Sequence, residues 1–187
     1  MNIVAIGIST GGPRTLRAIL DGLGTIDACL LVVQHMPKFV NAPYRESMQS
    51  ICDMDVRIAE QDDKLAHGTI LVAPSEVHMT LRNNRSIHLS GDGKVQSACP
   101  SVDVLMNSMR VSDDRVIGIV MTGMGQDGTL GLAHIKDIGG YTIAQDPASC
   151  IIDGMPEAAI AGGCVDDVLT YMGIRQMLVE SFDRVCV

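Results

Sequence analysis

Five short segments of this chain are apolar on consecutive residues rather than on alternate ones. They lie at residues 3–8, 30–34, 69–73, 116–122 and 141–144. A strand with one face in water alternates apolar and polar side chains, whereas a strand covered on both faces is apolar throughout. We therefore predict an α/β fold, a doubly wound and mostly parallel sheet with helices on both faces.

The segments between these runs carry helix signals. Residues 13–20 begin with a proline, which a first helical turn tolerates, and end near Gly22 and Gly24, so the chain opens with a βαβ unit. Ser101 is a suitable N-cap for a helix over residues 101–109. We also predict helices at 156–160 and 173–182, with a strand or docking segment at 165–169.

One segment departs from this alternation of strands and helices. Residues 77–82 and 85–89 flank Asn83-Asn84, a pattern that predicts an antiparallel hairpin with a two-residue turn at one edge of the sheet. No linker or internal repeat is evident. Since single domains commonly run to about 100–200 residues, we expect one domain over residues 1–187.

Charge and composition exclude several functions. The chain has 14 Lys and Arg against 22 Asp and Glu, a formal net charge of −8 that repels phosphate backbones, so we expect no nucleic-acid partner. No apolar stretch approaches the roughly 18 residues that span a bilayer, and we expect a cytoplasmic protein without membrane insertion. The cysteines form no C-x-x-C pair and are predicted to be small buried or neutral residues: Cys29, Cys52, Cys99, Cys150, Cys164 and Cys186.

The first predicted strand ends in a G-x-S-x-G pattern, Gly7-Ile8-Ser9-Thr10-Gly11. A serine on such a sharp turn is presented outward, and the flanking glycines remove Cβ atoms that would block backbone approach. Glycine-rich turns also cradle phosphates or simply close a tight connection. Ser9 is thus a candidate nucleophile, with those two alternatives open.

Two further loops at strand ends carry acid–base groups. His35 directly follows the second apolar run, and Asp127 lies in a glycine-rich loop after the fourth. Functional groups of a doubly wound sheet gather outside the carboxyl ends of the strands. A histidine there can take a serine proton, and an aspartate behind it stabilises the imidazolium. The order Ser, His, Asp differs from that of the α/β-hydrolase fold.

The other histidines do not extend this set. His78 and His88 lie on the predicted hairpin, where packing is the default role, although His78 could border the site; His67 and His134 have polar or helical surroundings. No His, Cys or Asp residues show the spacing of metal ligands. We predict neither a metal nor another cofactor.

Six motifs in order resemble the catalytic domain of CheB-type protein-glutamate methylesterases of bacterial chemotaxis, and the similarity runs nearly end to end. The motifs are IGISTGG at 6–12, QHMP at 34–37, VAP at 72–74 with HM at 78–79, PSVDVL at 100–105, TGMGQDG at 122–128, and TIAQ at 142–145 continuing to SC at 149–150 and GMP at 154–156.

The resemblance implies a triad of Ser9, His35 and Asp127 that hydrolyses glutamate methyl esters on the cytoplasmic domain of methylated chemoreceptors and releases methanol. Related enzymes also deamidate receptor glutamines. Thr10 and Met124 match positions that border the triad and support it. Many members carry an amino-terminal receiver domain, and we expect none within this chain, which makes a separate receiver-domain protein a candidate partner.

Two other functions compete with this one. A catalytically silent module could dock a receptor or partner protein in the same cleft, although intact Ser9, His35 and Asp127 argue against it. Gly11-Gly12 could hold a nucleotide phosphate, but the glycines are followed by no Lys-Ser/Thr pair and form no full G-x-G-x-x-G motif.

Overall fold

A computed structural model describes residues 1–110 and 114–182, and within them one large parallel sheet forms the centre. The strands of this sheet are β1 (Asn2–Ile8), β2 (Cys29–Gln34), β3 (Asp55–Ile58), β4 (Thr69–Val72), β7 (Arg115–Val120), β8 (Tyr141–Gln145) and β9 (Asp167–Leu169). A separate antiparallel pair is formed by β5 (His78–Leu81) and β6 (Ile87–Ser90). The main sheet has the order β3-β4-β2-β1-β7-β8-β9, and the predicted doubly wound fold is confirmed.

Helices cover both faces of the sheet. They are α1 (Gly12–Leu20), α2 (Asn41–Gln49), α3 (Val102–Asn107), α4 (Thr129–Asp137), α5 (Gly154–Ala161) and α6 (Tyr171–Phe182), with short 3-10 turns at Lys38–Val40 and Pro147–Ser149. The four predicted helices correspond to α1, α3, α5 and α6, and residues 165–169 contain the edge strand β9. Helices α2 and α4 and strand β3 are not among the predicted elements. No helix of the described ranges is long and apolar enough to cross a bilayer.

Burial on both faces explains the apolar runs. In β1, Val4, Ile6 and Ile8 point into a core shared with α1, α2 and α6. Ile3 and Ala5 point to the opposite side, into a core shared with α3, α4 and α5. Successive side chains of a strand alternate between its two faces, so both sets must be apolar.

The hairpin is confirmed, but it forms its own sheet and packs against α3. Its Leu81 N–H donates to Ser108 Oγ at 2.8 Å. The predicted two-residue turn is wrong, because Leu81 pairs with Ile87 and the loop includes Arg85 at φ 56°. A type I turn suits the twist of a hairpin when a residue in the left-handed region follows it, and Arg85 supplies that residue.

The described cysteines are free thiols. Cys29, Cys52 and Cys164 are buried, as predicted, whereas Cys99 and Cys150 are half-buried. Burial and the nearby charges of Asp153 and Asp146 raise the pKa of Cys150 to about 11, so its thiol is neutral at physiological pH. Cys186 lies outside the described residues.

The contact between β1 and α3 depends on Gly7. A Cβ atom at this position would lie 2.3 Å from Val102 Cγ1, and the β-branched Val102 has little freedom to move. We expect Gly7→Ala to lower the free energy of unfolding by about 1–3 kcal/mol, as overpacking does in other cores. Urea denaturation measures this. Gly24→Ala is the matched control, because Gly24 has no atom within 4 Å of its would-be Cβ; equal losses for both variants would contradict the prediction.

Candidate active site

Ser9, His35 and Asp127 lie on the loops that follow β1, β2 and β7, which are adjacent strands at the centre of the sheet. The chain passes from β1 to β2 on one side and later returns to β7 on the other, so the strand order reverses at β1. Loops at such a reversal diverge and leave a crevice at the carboxyl edge of the sheet. The topology therefore brings these three residues to one crevice.

The backbone of Ser9 is held from both sides. Its N–H donates to Thr122 O at 3.0 Å, and its carbonyl accepts from Gly12 N at 2.8 Å and Gln34 Nε2 at 3.0 Å. Gly123 lies so close that a Cβ there would be 2.7 Å from Ser9 Cβ. Two neighbouring strands and a glycine contact thus fix the turn that carries Ser9.

The Ser9 hydroxyl itself has no hydrogen-bond partner among the described residues, and in particular none on His35. The two residues are nonetheless neighbours across the sheet edge. They directly follow the last paired residues of β1 and β2, and His35 N donates to Ile8 O at 3.1 Å. The structure places the predicted nucleophile beside the predicted base without joining their reactive atoms.

His35 and Asp127 are in direct contact. His35 Nε2 lies 3.0 Å from Asp127 Oδ2, and the aspartate side chain is 5% exposed. When Nε2 carries the proton and donates it to this carboxylate, Nδ1 is left as the acceptor nitrogen of a neutral ring. The pair therefore offers a base whose orientation and tautomer are set by a buried carboxylate.

Three further donors bind Asp127, all from the start of α3. Ser101 Oγ donates at 2.8 Å, Val102 N at 2.8 Å and Asp103 N at 3.0 Å. Burial alone would raise the pKa of this carboxyl, but the bonds from His35 and from α3 outweigh it and hold the pKa below its ordinary value. Asp127 is consequently ionised at neutral pH.

Asp103 in turn accepts hydrogen bonds from the loop that carries Asp127. Its Oδ1 accepts from Gly128 N at 2.9 Å and from Gly131 N at 2.7 Å, at the start of α4. Burial raises the pKa of Asp103, the N–H of Gly131 opposes that rise, and the charge of Asp127 adds to it. Ser101 is predicted from the sequence only as an N-cap, and neither the two backbone donors nor Asp103 is predicted as part of the site.

His78 lies behind the site rather than in it. Its Nδ1 accepts from Ser101 N at 3.2 Å and its Nε2 bonds Gly93 O at 2.5 Å, so it supports the residue that donates to Asp127. The remaining histidines have partners elsewhere: His67 with Asp27, His88 with Arg82 and His134 with Met109 O. Across residues 1–110 and 114–182, no three His, Cys, Asp or Glu side chains converge as metal ligands do.

A cleft of about 380 Å³ opens next to the histidine–aspartate pair. Its lining comprises His35, Met36, Lys94, residues 96–99 and residues 124–127, without Ser9. Thr10 is exposed and Met124 is 72% exposed at the same edge. The backbone N–H groups of Thr10, Gly11 and Met124 have no acceptor in the described part of the chain, which leaves them able to bind a substrate oxygen.

Together the fold and the site define a doubly wound α/β domain with a strand-end serine and a buried histidine–aspartate pair at its topological switch point. The sequence profile described as CheB methylesterase matches residues 4–178. The chain belongs to the CheB methylesterase family, which confirms the resemblance drawn from its motifs.

Individual relatives agree with this assignment. Protein-glutamate methylesterase/protein-glutamine glutaminase 2 of Rhodospirillum rubrum is 39% identical over 187 residues, which cover 98% of this chain and 52% of that protein. Protein-glutamate methylesterase/protein-glutamine glutaminase 1 of Chromobacterium violaceum is also 39% identical, and the match covers 94% of this chain and 50% of that protein. The chain spans about half the length of the curated relatives it matches.

A solved structure shows the same architecture. The crystal structure of the Thermotoga maritima CheB methylesterase catalytic domain superposes with a TM-score of 0.90 at 34% sequence identity. The match covers 96% of this chain and 97% of that one. The described fold is thus the fold of a CheB catalytic domain.

The four donors on Asp127 predict an acid-sensitive contribution to stability. Because the folded-state pKa is lowered, the ionised carboxylate stabilises the fold above the unfolded value of about 3.9, and this is lost as the pH falls through the folded pKa. At pH 7 we expect Asp127→Asn to lower the free energy of unfolding by about 1–3 kcal/mol, because the NH2 group of the asparagine cannot accept a hydrogen bond and would face one of the four donors. The difference from wild type should shrink below about pH 4.

Urea denaturation of both proteins between pH 7 and about pH 2.5 measures that difference, because the folded pKa lies below the ordinary value. Asp92→Asn is the matched control, because Asp92 is exposed in a loop. At each pH, the free energy of unfolding of this variant should be nearly equal to that of wild type. A gap between wild type and Asp127→Asn that stays constant throughout the range would contradict the prediction.

Proposed function

We propose that this domain is a serine hydrolase that removes methyl groups from glutamate γ-methyl esters of chemoreceptor proteins. The observation that carries the proposal is the 3.0 Å bond between His35 Nε2 and Asp127 Oδ2 beside the turn of Ser9. The relatives named protein-glutamate methylesterase support the substrate class, and their second name, protein-glutamine glutaminase, extends it to glutamine side chains.

The proposed reaction has two halves. Ser9 Oγ attacks the ester carbonyl while His35 Nδ1 takes the hydroxyl proton, and Asp127 stabilises the imidazolium that forms. His35 then gives this proton to the departing methoxide, so methanol leaves and a glutamyl ester of Ser9 remains. Water attacks that ester with His35 again as base, which restores Ser9 and releases the glutamate carboxylate.

The absence of a hydrogen bond between Ser9 Oγ and the imidazole among the described residues is compatible with these roles. Catalytic hydrogen bonds are commonly long or misaligned before substrate binds and tighten in the complex. A serine side chain changes its direction by rotation about a single χ1 bond. The backbones of Ser9 and His35 are held as neighbours across the sheet edge, and we propose that such a rotation brings the hydroxyl to the imidazole.

The free N–H groups near Ser9 are proposed to hold the oxyanion. Those of Thr10 and Gly11 lie at the amino end of α1, where aligned peptide dipoles favour negative charge, and that of Met124 lies on the opposing loop. Thr122 Oγ1 fixes the carbonyl of Thr10 at 3.0 Å. Thr10 and Met124 therefore support catalysis through their backbones.

The setting of the reaction follows from the same proposal. The partner is the cytoplasmic domain of a methylated chemoreceptor, which places the activity in the cytoplasm. Residues 1–187 are proposed to act as one catalytic domain. These assignments rest on the family rather than on a contact in the structure.

Replacing Ser9 by Ala tests the proposed nucleophile. We expect methanol release from a methylated receptor fragment to fall by about 10³–10⁶-fold, as loss of a serine nucleophile does in other triads, with the fold retained. Ser50→Ala is the matched control, because Ser50 is exposed at the end of α2 and should leave turnover unchanged. Turnover by Ser9→Ala close to that of wild type would end the proposal.

A further inference from the structure

Gln34, the last residue of β2, connects the two residues proposed to exchange a proton. Its side chain is 1% exposed, and its Nε2 donates to Ser9 O and to His35 O, each at 3.0 Å. One amide group thus bonds the backbone of the proposed nucleophile and the backbone of the proposed base. It touches neither of their reactive atoms.

Backbone pairing between β1 and β2 ends at this point, with the hydrogen bond from His35 N to Ile8 O at 3.1 Å. The β1–β2 ladder ends with the pair Ile8 and Gln34. Beyond it the β1 strand turns through Gly11, at φ 85°, into α1. The β2 strand runs into Pro37, which has no backbone N–H to donate. The Gln34 amide therefore connects the two segments just beyond the last backbone hydrogen bond between the strands.

The oxygen of the same amide lies in an unfavourable environment. Gln34 Oε1 is buried and has no hydrogen-bond partner in the described residues. It lies 2.1 Å from where a Cβ of residue 12 would be, so only a glycine leaves room for it. An unsatisfied buried acceptor is unfavourable, and arrangements that give up stability cluster at functional sites.

We propose that Gln34 is a positioning residue that holds Ser9 and His35 at the separation required for proton transfer. The inference rests on the proposed function, because it assigns Gln34 to that same reaction. Thr122, which bonds the carbonyl of Thr10 at 3.0 Å, holds the turn from the β7 side. Among the side chains of the described residues, only that of Gln34 bonds the backbones of both Ser9 and His35.

Gln34→Met tests this role, with Gln49→Met as the matched control. Gln49 also bonds the backbone through both ends of its amide, to Met54 O and Val56 N at 2.9 Å each, but it lies on α2. Both changes remove side-chain bonds to the backbone and should lower stability. Only Gln34→Met should reduce the rate at which Ser9 is labelled by a fluorophosphonate and the kcat for methyl ester hydrolysis.

The expected loss is about 10–100-fold in kcat and in labelling rate, because displacements near 1 Å have effects of this size, while KM changes by less than about twofold. Rates are compared at a temperature where urea titration shows each variant folded. Gln34→Met rates within twofold of wild type would overturn the inference and leave the proposed function standing. A wild-type protein inert to both ester and fluorophosphonate would remove the proposed function and this inference with it.

Gln34→Glu provides a second test that preserves the shape of the side chain. A carboxylate repels both carbonyls, whereas a protonated carboxyl can donate to one of them, and burial favours protonation. The ratio of the Gln34→Glu rate to the wild-type rate should therefore rise as the pH falls from 8 to 6. A ratio that stays near one at every pH would overturn the positioning role.

Discussion

The four hydrogen bonds accepted by Asp127 hold the site together. Three come from the start of α3 and one from His35, so a single carboxylate joins the β7 loop, a helix and the β2 loop. Asp103 completes the arrangement by capping α4, which begins just after Asp127. At six residues, α3 is too short to be stable alone, and this exchange of caps fixes its position and that of the imidazole.

The pKa values of Asp127 and Asp103 are shifted in opposite directions although the two carboxylates are close neighbours. Both are buried, but Asp127 receives His35 and enough other donors to have a lowered pKa, while that of Asp103 is raised. Burial is the main cause of the raised pKa of Asp103, and the negative charge of Asp127 adds to it. The lowered pKa thus belongs to the carboxylate that faces the imidazole.

The sequence predicts those elements whose signals are local. The apolar runs identify five strands of the main sheet, because burial on both faces leaves its mark on each residue. Helix α4 was missed because its N-cap, Gly128, offers no side chain; its capping carboxylate is Asp103, far away in sequence. Helix α2 likewise lacks a side-chain cap and buries only Tyr44 and Met48 among its residues, too few for a recognisable apolar stripe.

The same distinction applies to the site. Strand-end position makes Ser9, His35 and Asp127 the predicted catalytic residues, whereas the hydrogen bonds of the Gln34 amide are defined only once β1 and β2 are paired. The fold preorganises the histidine–aspartate pair and the backbone of Ser9. The Ser9 hydroxyl has no hydrogen-bond partner among the described residues. Since buried charge and backbone placement are settled during folding, the proposed reaction calls for a rotation of the Ser9 side chain rather than for a rearrangement of the backbone.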